Sequence, residues 1–149
     1  MPDKETKKAA PGRSPLRILF VCMGNACRSQ MAEGMARLLA PGWEVHSAGL
    51  LPAGFVSPHA VAVMEELGVD ISSQWSKGLD EVDMDGMQVI IAMGGFPVSD
   101  FVASPEGKIA ENWKVADPIG HGPEFFRIIR DQIRSEIEAL ALRLAEKSL

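Results

Sequence analysis

A cysteine and an arginine six positions apart, Cys22 and Arg28, are the residues of this chain whose types and spacing best suit catalysis. The sulfur of a cysteine thiolate is a strong nucleophile. An arginine guanidinium binds two oxygens of an oxyanion at once through its planar fork. Between the two residues, Gly24 and Asn25 allow the backbone to turn tightly. The pair therefore predicts a sulfur nucleophile aimed at a bound tetrahedral oxyanion.

The segments on either side of this pair favour an anion-binding loop. Residues 16–21 are an apolar run typical of a buried strand, and residues 29–40 have the pattern of an amphipathic helix. A loop between a strand and a helix directs its backbone N–H groups at one point, where the helix dipole adds positive potential. The same field favours the thiolate of Cys22. The residues expected to bind substrate there are Met23, Gly24, Asn25, Ala26, Cys27 and Ser29.

Two residues of the loop have two interpretations each. The hydroxyl of Ser29 either donates to the sulfur of Cys22 or caps the start of the helix. Cys27 either packs beneath the loop as a small buried residue or acts as a redox partner of Cys22, because a second thiol condenses with a cysteine sulfenic acid. Sequence alone leaves both pairs of alternatives open.

Asp117 is the candidate general acid. A phosphate monoester needs a proton on its leaving oxygen, and Pro118 holds the preceding residue extended, so that its carboxyl group can reach over the anion site. An Asp-Pro pair on its own also marks simple turns. His46 and His59 have no spacing typical of metal ligands, so we expect neither a metal nor a cofactor.

The rest of the chain alternates between predicted strands and helices. Strands are expected at residues 43–47, 89–93 and, more weakly, 114–116, with a short acidic helix at 79–85. A second helix begins at Ser57 and Pro58 and ends at Gly68, and a long final helix begins at Pro123. This order predicts an α/β fold, a three-layer α/β/α sandwich around a four-stranded parallel sheet, with the site at the carboxyl ends of the strands.

Composition indicates one small domain. We expect residues 1–15 to be a disordered tail and residues 16–149 to be a single domain, since 46% of the residues are hydrophobic. A net charge of −5 argues against nucleic acid or an anionic membrane as a partner. Both cysteines lie in the loop, which fits a reducing compartment, and the chain shows neither a signal peptide nor a membrane span. We therefore expect a cytoplasmic protein.

The segment from Val21 to Ser29 resembles the signature loop of the low-molecular-weight protein tyrosine phosphatase superfamily, which includes the thioredoxin-coupled arsenate reductases. Residues 30–34 are more similar to the arsenate reductase branch, and matches continue at residues 47–49, the helix after Ser57, residues 68–72 and Asp117-Pro118. The resemblance implies a low-molecular-weight phosphatase-like fold, Cys22 as nucleophile and Asp117 as general acid. It also implies that Asn25 shapes the loop and that Ser47 supports the loop from behind.

The departures from that superfamily bear on the reaction. Thioredoxin-coupled arsenate reductases carry two further cysteines after the third strand, whereas residues 94–111 of this chain contain none. Phosphoryl transfer needs no such relay. The phosphatases usually carry aromatic residues after the Asp-Pro pair, but this chain has Ile119 and Gly120 there and no tyrosine. An aromatic wall for phosphotyrosine is therefore poorly supported, and Phe55 or Trp75 is the candidate to form part of one.

Three functions remain open from sequence. The first interpretation is a cysteine-dependent phosphatase acting on a phosphorylated protein or a small aryl phosphate through a phosphocysteine intermediate. The second is an arsenate reductase that depends on an external thiol reductant, such as a small thiol or a glutaredoxin-like protein. The third is a non-catalytic oxyanion-binding or redox-sensing module in which Cys22 and Cys27 pair.

Overall fold

A computed structural model describes residues 15–103 and 106–147. The predicted tail lies outside these residues, apart from Pro15. Four strands, β1 (Leu16–Cys22), β2 (Trp43–Gly49), β3 (Val89–Ala92) and β4 (Ile109–Asn112), form one sheet in the order β2-β1-β3-β4 with all pairs parallel. Three α-helices accompany it: α1 (Arg28–Leu39), α2 (Pro58–Glu65) and α3 (Pro123–Lys147).

The inner strand β1 contributes side chains to the cores on both faces of the sheet, because successive side chains of a strand point to opposite faces. Ile18 and Phe20 enter one core with side chains from all three α-helices. Leu19 and Val21 enter a second core on the opposite face, beside the 3₁₀ helices Leu79–Glu81 and Val98–Asp100. The predicted α/β fold with helices flanking a four-stranded parallel sheet is confirmed.

The prediction of the fourth strand at residues 114–116 is wrong. The strand is Ile109–Asn112 at the edge of the sheet, where its residues alternate between half-buried and exposed. Glu111 and Asn112 have low strand propensity, so the segment has no apolar run to predict it from. The short acidic helix is also shorter than predicted, a single 3₁₀ turn at Leu79–Glu81. Residues 114–116 belong to no helix or strand, and among the described residues the Val115 carbonyl accepts no hydrogen bond from a sheet partner, which leaves it free for another role.

The sheet places the predicted loop at the carboxyl ends of the strands. β1 ends at Cys22, which pairs in register with Gly49 at the end of β2, and α1 begins at Arg28. A Cβ atom on Gly49 would lie 2.8 Å from the backbone nitrogen of Asn25 and 2.9 Å from the Met23 oxygen, so only glycine allows β2 to support the loop this closely. None of the described helices is long and apolar enough to span a bilayer.

Candidate active site

The loop between β1 and α1 presents its amide groups to one point because its carbonyls are occupied elsewhere. The carbonyls of residues 22, 23, 24 and 26 accept hydrogen bonds from the backbone N–H groups of residues 50, 51, 53 and 57, at 3.2, 2.8, 2.9 and 2.9 Å. In the described part of the chain, the N–H groups of residues 23–28 donate to no acceptor. Free N–H groups on a curved loop at a helix N-terminus form an oxyanion site.

Asn25 fixes the curvature of this loop. Among the residues that the structure describes, Asn25 is the one non-glycine residue with a positive φ, which is 49°. Its side chain is completely buried. Its carboxamide oxygen accepts hydrogen bonds from the Lys77 backbone N–H at 2.9 Å and from Gln30 Nε2 at 2.8 Å. Since a backbone N–H can only donate, these contacts assign the oxygen side of the amide and leave both of its hydrogens facing the other way.

The hydrogens of the Asn25 amide point at two buried serines. Asn25 Nδ2 donates to Ser29 Oγ at 2.7 Å and to Ser47 Oγ at 3.0 Å. Ser29 Oγ lies 3.0 Å from Cys22 Sγ. Because Ser29 already accepts from Asn25, its single proton is available for the sulfur. A hydroxyl that donates to sulfur stabilises negative charge on it, which suits a nucleophile.

A buried ion pair lies behind Ser47. Ser47 Oγ donates to Glu33 Oε1 at 2.6 Å, and Lys77 Nζ lies 3.4 Å from Ser47 Oγ and 3.8 Å from Glu33 Oε1. The side chains of Glu33 and Lys77 are only 5% and 7% exposed. Burial lowers the pKa of the Lys77 ammonium, an effect that the charge of Glu33 opposes. Because the Glu33 carboxylate can only accept, Ser47 donates to it and accepts from Asn25. The hydrogen bonds therefore diverge from the Asn25 amide, with one branch running through Ser47 to Glu33 and the other through Ser29 to the Cys22 sulfur.

Arg28 stands at the first position of α1 with its side chain 9% exposed. Its NH1 group donates to the Val115 carbonyl at 3.0 Å, and its NH2 group lies 3.7 Å from Asp117 Oδ2. The carbonyl anchors one edge of the guanidinium. The fork is thereby held beside the loop amides, where it can contribute to binding an oxyanion.

Asp117 lies at the mouth of a cavity of about 320 Å³ that also contains Cys22. Its side chain is 53% exposed, and Oδ1 accepts a hydrogen bond from the Ile119 backbone N–H at 3.1 Å. The carboxyl group therefore sits on a turn that follows residues 114–116, close to Arg28 and open to solvent. The cavity is also lined by Met23, Gly24, Ala26, Cys27, Arg28, Ala53, Phe55 and Ile119.

Cys27 sits under the loop, 3% exposed, within the core that α1 shares with the sheet. Burial raises the pKa of its thiol to about 12, although a hydrogen bond with the Ser57 hydroxyl opposes this shift. The thiol is therefore protonated at neutral pH and does not compete with Cys22 as nucleophile. Both cysteines are free.

The structure brings the sequence-predicted residues together at one end of the sheet. The cavity and the loop beside it contain Cys22, residues 23–28 and Asp117. Ser29 and Ser47 lie beneath the loop, and Phe55 forms part of the cavity wall. Trp75 lines a neighbouring groove instead. In the described residues, no cluster of three or more His, Cys, Asp or Glu side chains is placed to bind a metal.

Sequence reasoning missed four contributors: Gln30, Glu33, Lys77 and the Val115 carbonyl. Glu33 lies one helical turn beyond Ser29, on the same face of α1, and that spacing is a signal that could have found it. Lys77 is 52 residues from Asn25, and nothing in its local sequence marks it as buried. The Val115 carbonyl was missed because the strand predicted at residues 114–116 would have paired it with a neighbouring strand rather than with Arg28.

Comparison with known proteins shows the family to which the chain belongs. The family described as low molecular weight phosphotyrosine protein phosphatase matches residues 17–149. The chain is 36% identical over 129 residues to the glutaredoxin arsenate reductase of Synechocystis sp., covering 87% of this chain and 98% of that protein.

Two solved structures are similar over most of the chain. An arsenate reductase in its phosphate-binding state is 39% identical with a TM-score of 0.79, covering 86% of this chain and 98% of that one. The YwlE arginine phosphatase from Geobacillus stearothermophilus is 33% identical with a TM-score of 0.74, covering 89% and 95%. The chain therefore belongs to the low molecular weight phosphotyrosine protein phosphatase family and is an enzyme of that family, with both arsenate reductases and phosphatases among its relatives.

Proposed function

We propose that this enzyme hydrolyses phosphomonoesters through a phosphocysteine intermediate, with a phosphorylated protein or an aryl phosphate as substrate. The observation that carries the proposal is the grouping of Cys22, Arg28 and Asp117 around one cavity, with the loop amides unoccupied by other acceptors. These are the parts that phosphoryl transfer requires: a nucleophile, a site for the equatorial oxygens and an acid for the leaving oxygen.

In the first step, the Cys22 sulfur attacks phosphorus and an S–P bond forms as the P–O bond to the alcohol breaks. Asp117, as the acid, donates a proton to the departing oxygen, so that a neutral alcohol or phenol leaves. Arg28 and the N–H groups of residues 23–28 bind the three equatorial oxygens, on which charge is spread in the transition state.

In the second step, water attacks phosphorus and the S–P bond breaks. Asp117, now a carboxylate, accepts a proton from that water, and inorganic phosphate leaves. The Ser29 hydroxyl, 3.0 Å from the Cys22 sulfur, stabilises the negative charge that returns to it. The cycle consumes one water molecule and regenerates both residues.

Asp117 also argues against the third interpretation, a non-catalytic oxyanion-binding or redox-sensing module, because a sensor has no use for an acid at this position.

A second candidate, arsenate reduction, is favoured by the similarity to the Synechocystis glutaredoxin arsenate reductase. Cys22 would displace hydroxide from arsenate, and an external thiol would then attack the Cys22 sulfur. The S–As bond breaks with its electron pair on arsenic, which releases arsenite and leaves a mixed disulfide that a second thiol reduces. The chain has only the two cysteines of the loop, so the intramolecular three-cysteine relay is excluded.

A side-by-side assay of the purified protein decides between these reactions. The phosphate arm follows an aryl phosphate, a phosphotyrosine peptide and a phosphoarginine peptide, and the arsenate arm follows arsenite formation with glutathione, with glutaredoxin plus glutathione, or with thioredoxin and its reductase. We expect phosphate release with the oxygen-linked esters and no sustained turnover of arsenate by thioredoxin alone. Arsenite formation without measurable phosphate release would reject the phosphatase.

Cys22→Ser tests the covalent step itself. We expect turnover of the aryl phosphate to be abolished, because a serine hydroxyl at this position is a far poorer nucleophile, while inorganic phosphate still binds through Arg28 and the amides. Phosphate binding is measured by calorimetry and the intermediate by mass spectrometry of the wild type quenched in acid. Turnover in Cys22→Ser above the contamination level contradicts a phosphocysteine.

A further inference from the structure

A second, larger cavity lies beside the one that contains Cys22. It is a groove of about 680 Å³ between the start of α2 and residues 72–76. Phe55 lines both cavities, so the groove and the catalytic cavity adjoin at this side chain. A phosphate group is held by the loop and does not reach the groove. A part of the substrate that reaches the groove is therefore attached to the alcohol side of the phosphate.

The groove presents two aromatic side chains to solvent. Phe55 is 51% exposed and Trp75 is 62% exposed. Aromatic side chains in this situation are the residues most often found as anchors in binding interfaces, because they bury a large area for few rotatable bonds. An apolar side chain placed between them would be stabilised by removal of both rings from water.

The backbone that carries these rings is fixed to the catalytic loop. Ser76 Oγ donates to the Gly24 carbonyl at 3.0 Å and accepts from the Gly54 N–H at 3.1 Å. The Trp75 carbonyl accepts from Gln30 Nε2 at 2.9 Å and from Lys77 Nζ at 3.0 Å, and that ammonium lies 4.6 Å from the centre of the indole ring. The groove is thus a preformed surface, which lowers the entropic cost of binding.

Two cations lie against the residues at one side of the groove: Arg37 NH1 is 3.4 Å from Gln74 Oε1, and Lys77 Nζ is 4.6 Å from the centre of the Trp75 ring. Among the residues that line the groove, the one ionisable side chain is that of Glu65 on α2. An acidic segment is disfavoured beside Glu65, whereas a lysine or arginine can pair with it. The volume suits two or three side chains of an extended peptide rather than a small leaving group.

We propose that this groove binds the polypeptide on which the phosphorylated residue is carried, with an apolar or aromatic side chain between Phe55 and Trp75 and a basic side chain opposite Glu65. The proposal rests on the phosphatase function and narrows its substrate to a phosphorylated protein with apolar and basic residues near the modified one. Trp75 and Glu65 then determine substrate choice without touching the reacting atoms.

Binding to the Cys22→Ser protein provides a test that does not depend on turnover. Fluorescein-labelled phosphotyrosine peptides carrying Leu and Arg, Gly and Ser, or Leu and Glu beside the phosphotyrosine are titrated and followed by anisotropy. We expect the Leu-Arg peptide to bind most tightly. Adding Trp75→Ala should weaken it about tenfold, and adding Glu65→Arg should reverse the preference between the Arg and Glu peptides by about threefold in each direction. Leu142→Ala, which removes a side chain 68% exposed on α3, is the matched control.

The outcomes separate the groove from the reaction. Equal affinity for all three peptides, or an equal change in affinity with Trp75→Ala and Leu142→Ala, overturns the proposal that the groove binds the polypeptide. Glu65→Arg is a surface change, so it still tests the groove if Trp75→Ala impairs folding. If the peptides bind as expected but the wild type hydrolyses none of them, the phosphatase function fails and the groove stands. Loss of a dimer by Trp75→Ala, seen by sedimentation without any change in peptide affinity, assigns the groove to a second copy of the chain and also overturns the proposal.

Discussion

Beneath the catalytic loop the polar side chains are buried, whereas side chains at the rim of the cavity are exposed. Asn25, Ser29 and Ser47 are each 0% exposed, and no buried side-chain nitrogen or oxygen in the described residues lacks a hydrogen-bond partner. At the rim, the Asp117 side chain is 53% exposed and Ile119 is 51% exposed. The side chains of the first region are held by hydrogen bonds within the protein, and those of the second are open to solvent.

This difference separates the two tasks of the enzyme. The oxyanion and the sulfur need fixed geometry, because preorganised donors stabilise charge without reorganising during the reaction. The leaving group varies between substrates, so the groups that meet it are carried by turns open to solvent. Changes in the inner region should therefore impair all substrates equally, and changes at the rim should depend on the substrate.

The largest effect is expected for Arg28→Lys. A lysine ammonium cannot donate two parallel hydrogen bonds to the equatorial oxygens, so we expect kcat for an aryl phosphate to fall about 10³-fold, nearly as far as for Arg28→Ala. Steady-state kinetics with two aryl phosphates of different leaving groups measures this loss, which should be the same for both. A lysine variant within about tenfold of the wild type, or about 1.4 kcal/mol of barrier, would show that the fork is not used.

Glu33→Gln tests the deepest part of the inner region. It leaves the buried Lys77 ammonium without its carboxylate, and we expect the free energy of unfolding to fall by about 3 kcal/mol in urea titrations. Lys77→Met should lower the free energy of unfolding by less, because the Glu33 carboxylate keeps its ion pair with Arg37, in which Oε2 lies 2.6 Å from NH2. The matched control is Glu138→Gln, which removes an exposed pair with Arg134 and should change stability by less than about 0.5 kcal/mol. Equal losses for Glu33→Gln and Glu138→Gln would contradict the importance of the buried pair.

Asp117→Asn tests the rim. Because the acid matters only where the leaving oxygen needs a proton, we expect a loss of about 10²-fold for substrates with basic leaving groups and little loss for acidic phenols. The measurement is the dependence of kcat/KM on the pKa of the leaving group, compared between wild type and variant. Parallel slopes would assign Asp117 to the turn that its contact with Ile119 already forms.

The sequence predicted the parts of this site whose residues are neighbours along the chain. Cys22, Arg28 and Ser29 follow one another through a strand, a loop and a helix start, and local rules identify each of these. Ser57 and Pro58 likewise begin α2 as predicted, with Ser57 accepting from the Ala60 N–H. Local patterns sufficed because each of these features is decided within one helical turn.

The parts that sequence failed to predict depend on contacts between distant segments. Lys77 joins the inner region only because the end of β2 brings residues 76–78 alongside the loop, where Gly49 forms a bridge with Gly78. The edge strand β4 is defined by its pairing with β3, since its own residues alternate without a strong apolar signal. Tertiary contacts override local propensity at both places.

Cys27 belongs to the inner region, and its variant should leave ordinary turnover nearly unchanged, so it carries the smallest expected effect. Its redox role stays a prediction, because its thiol is buried and protonated and the loop must distort before it can reach Cys22. We expect peroxide to inactivate the wild type reversibly, with dithiothreitol restoring activity, and to inactivate Cys27→Ser irreversibly. Below its pKa of about 12 the thiolate fraction of Cys27 rises about tenfold per pH unit, so protection should increase from about pH 7 to about pH 9. Intact mass distinguishes loss of two hydrogens in the wild type from added oxygens in the variant. Equal recovery of both proteins at both pH values would leave Cys27 with packing alone.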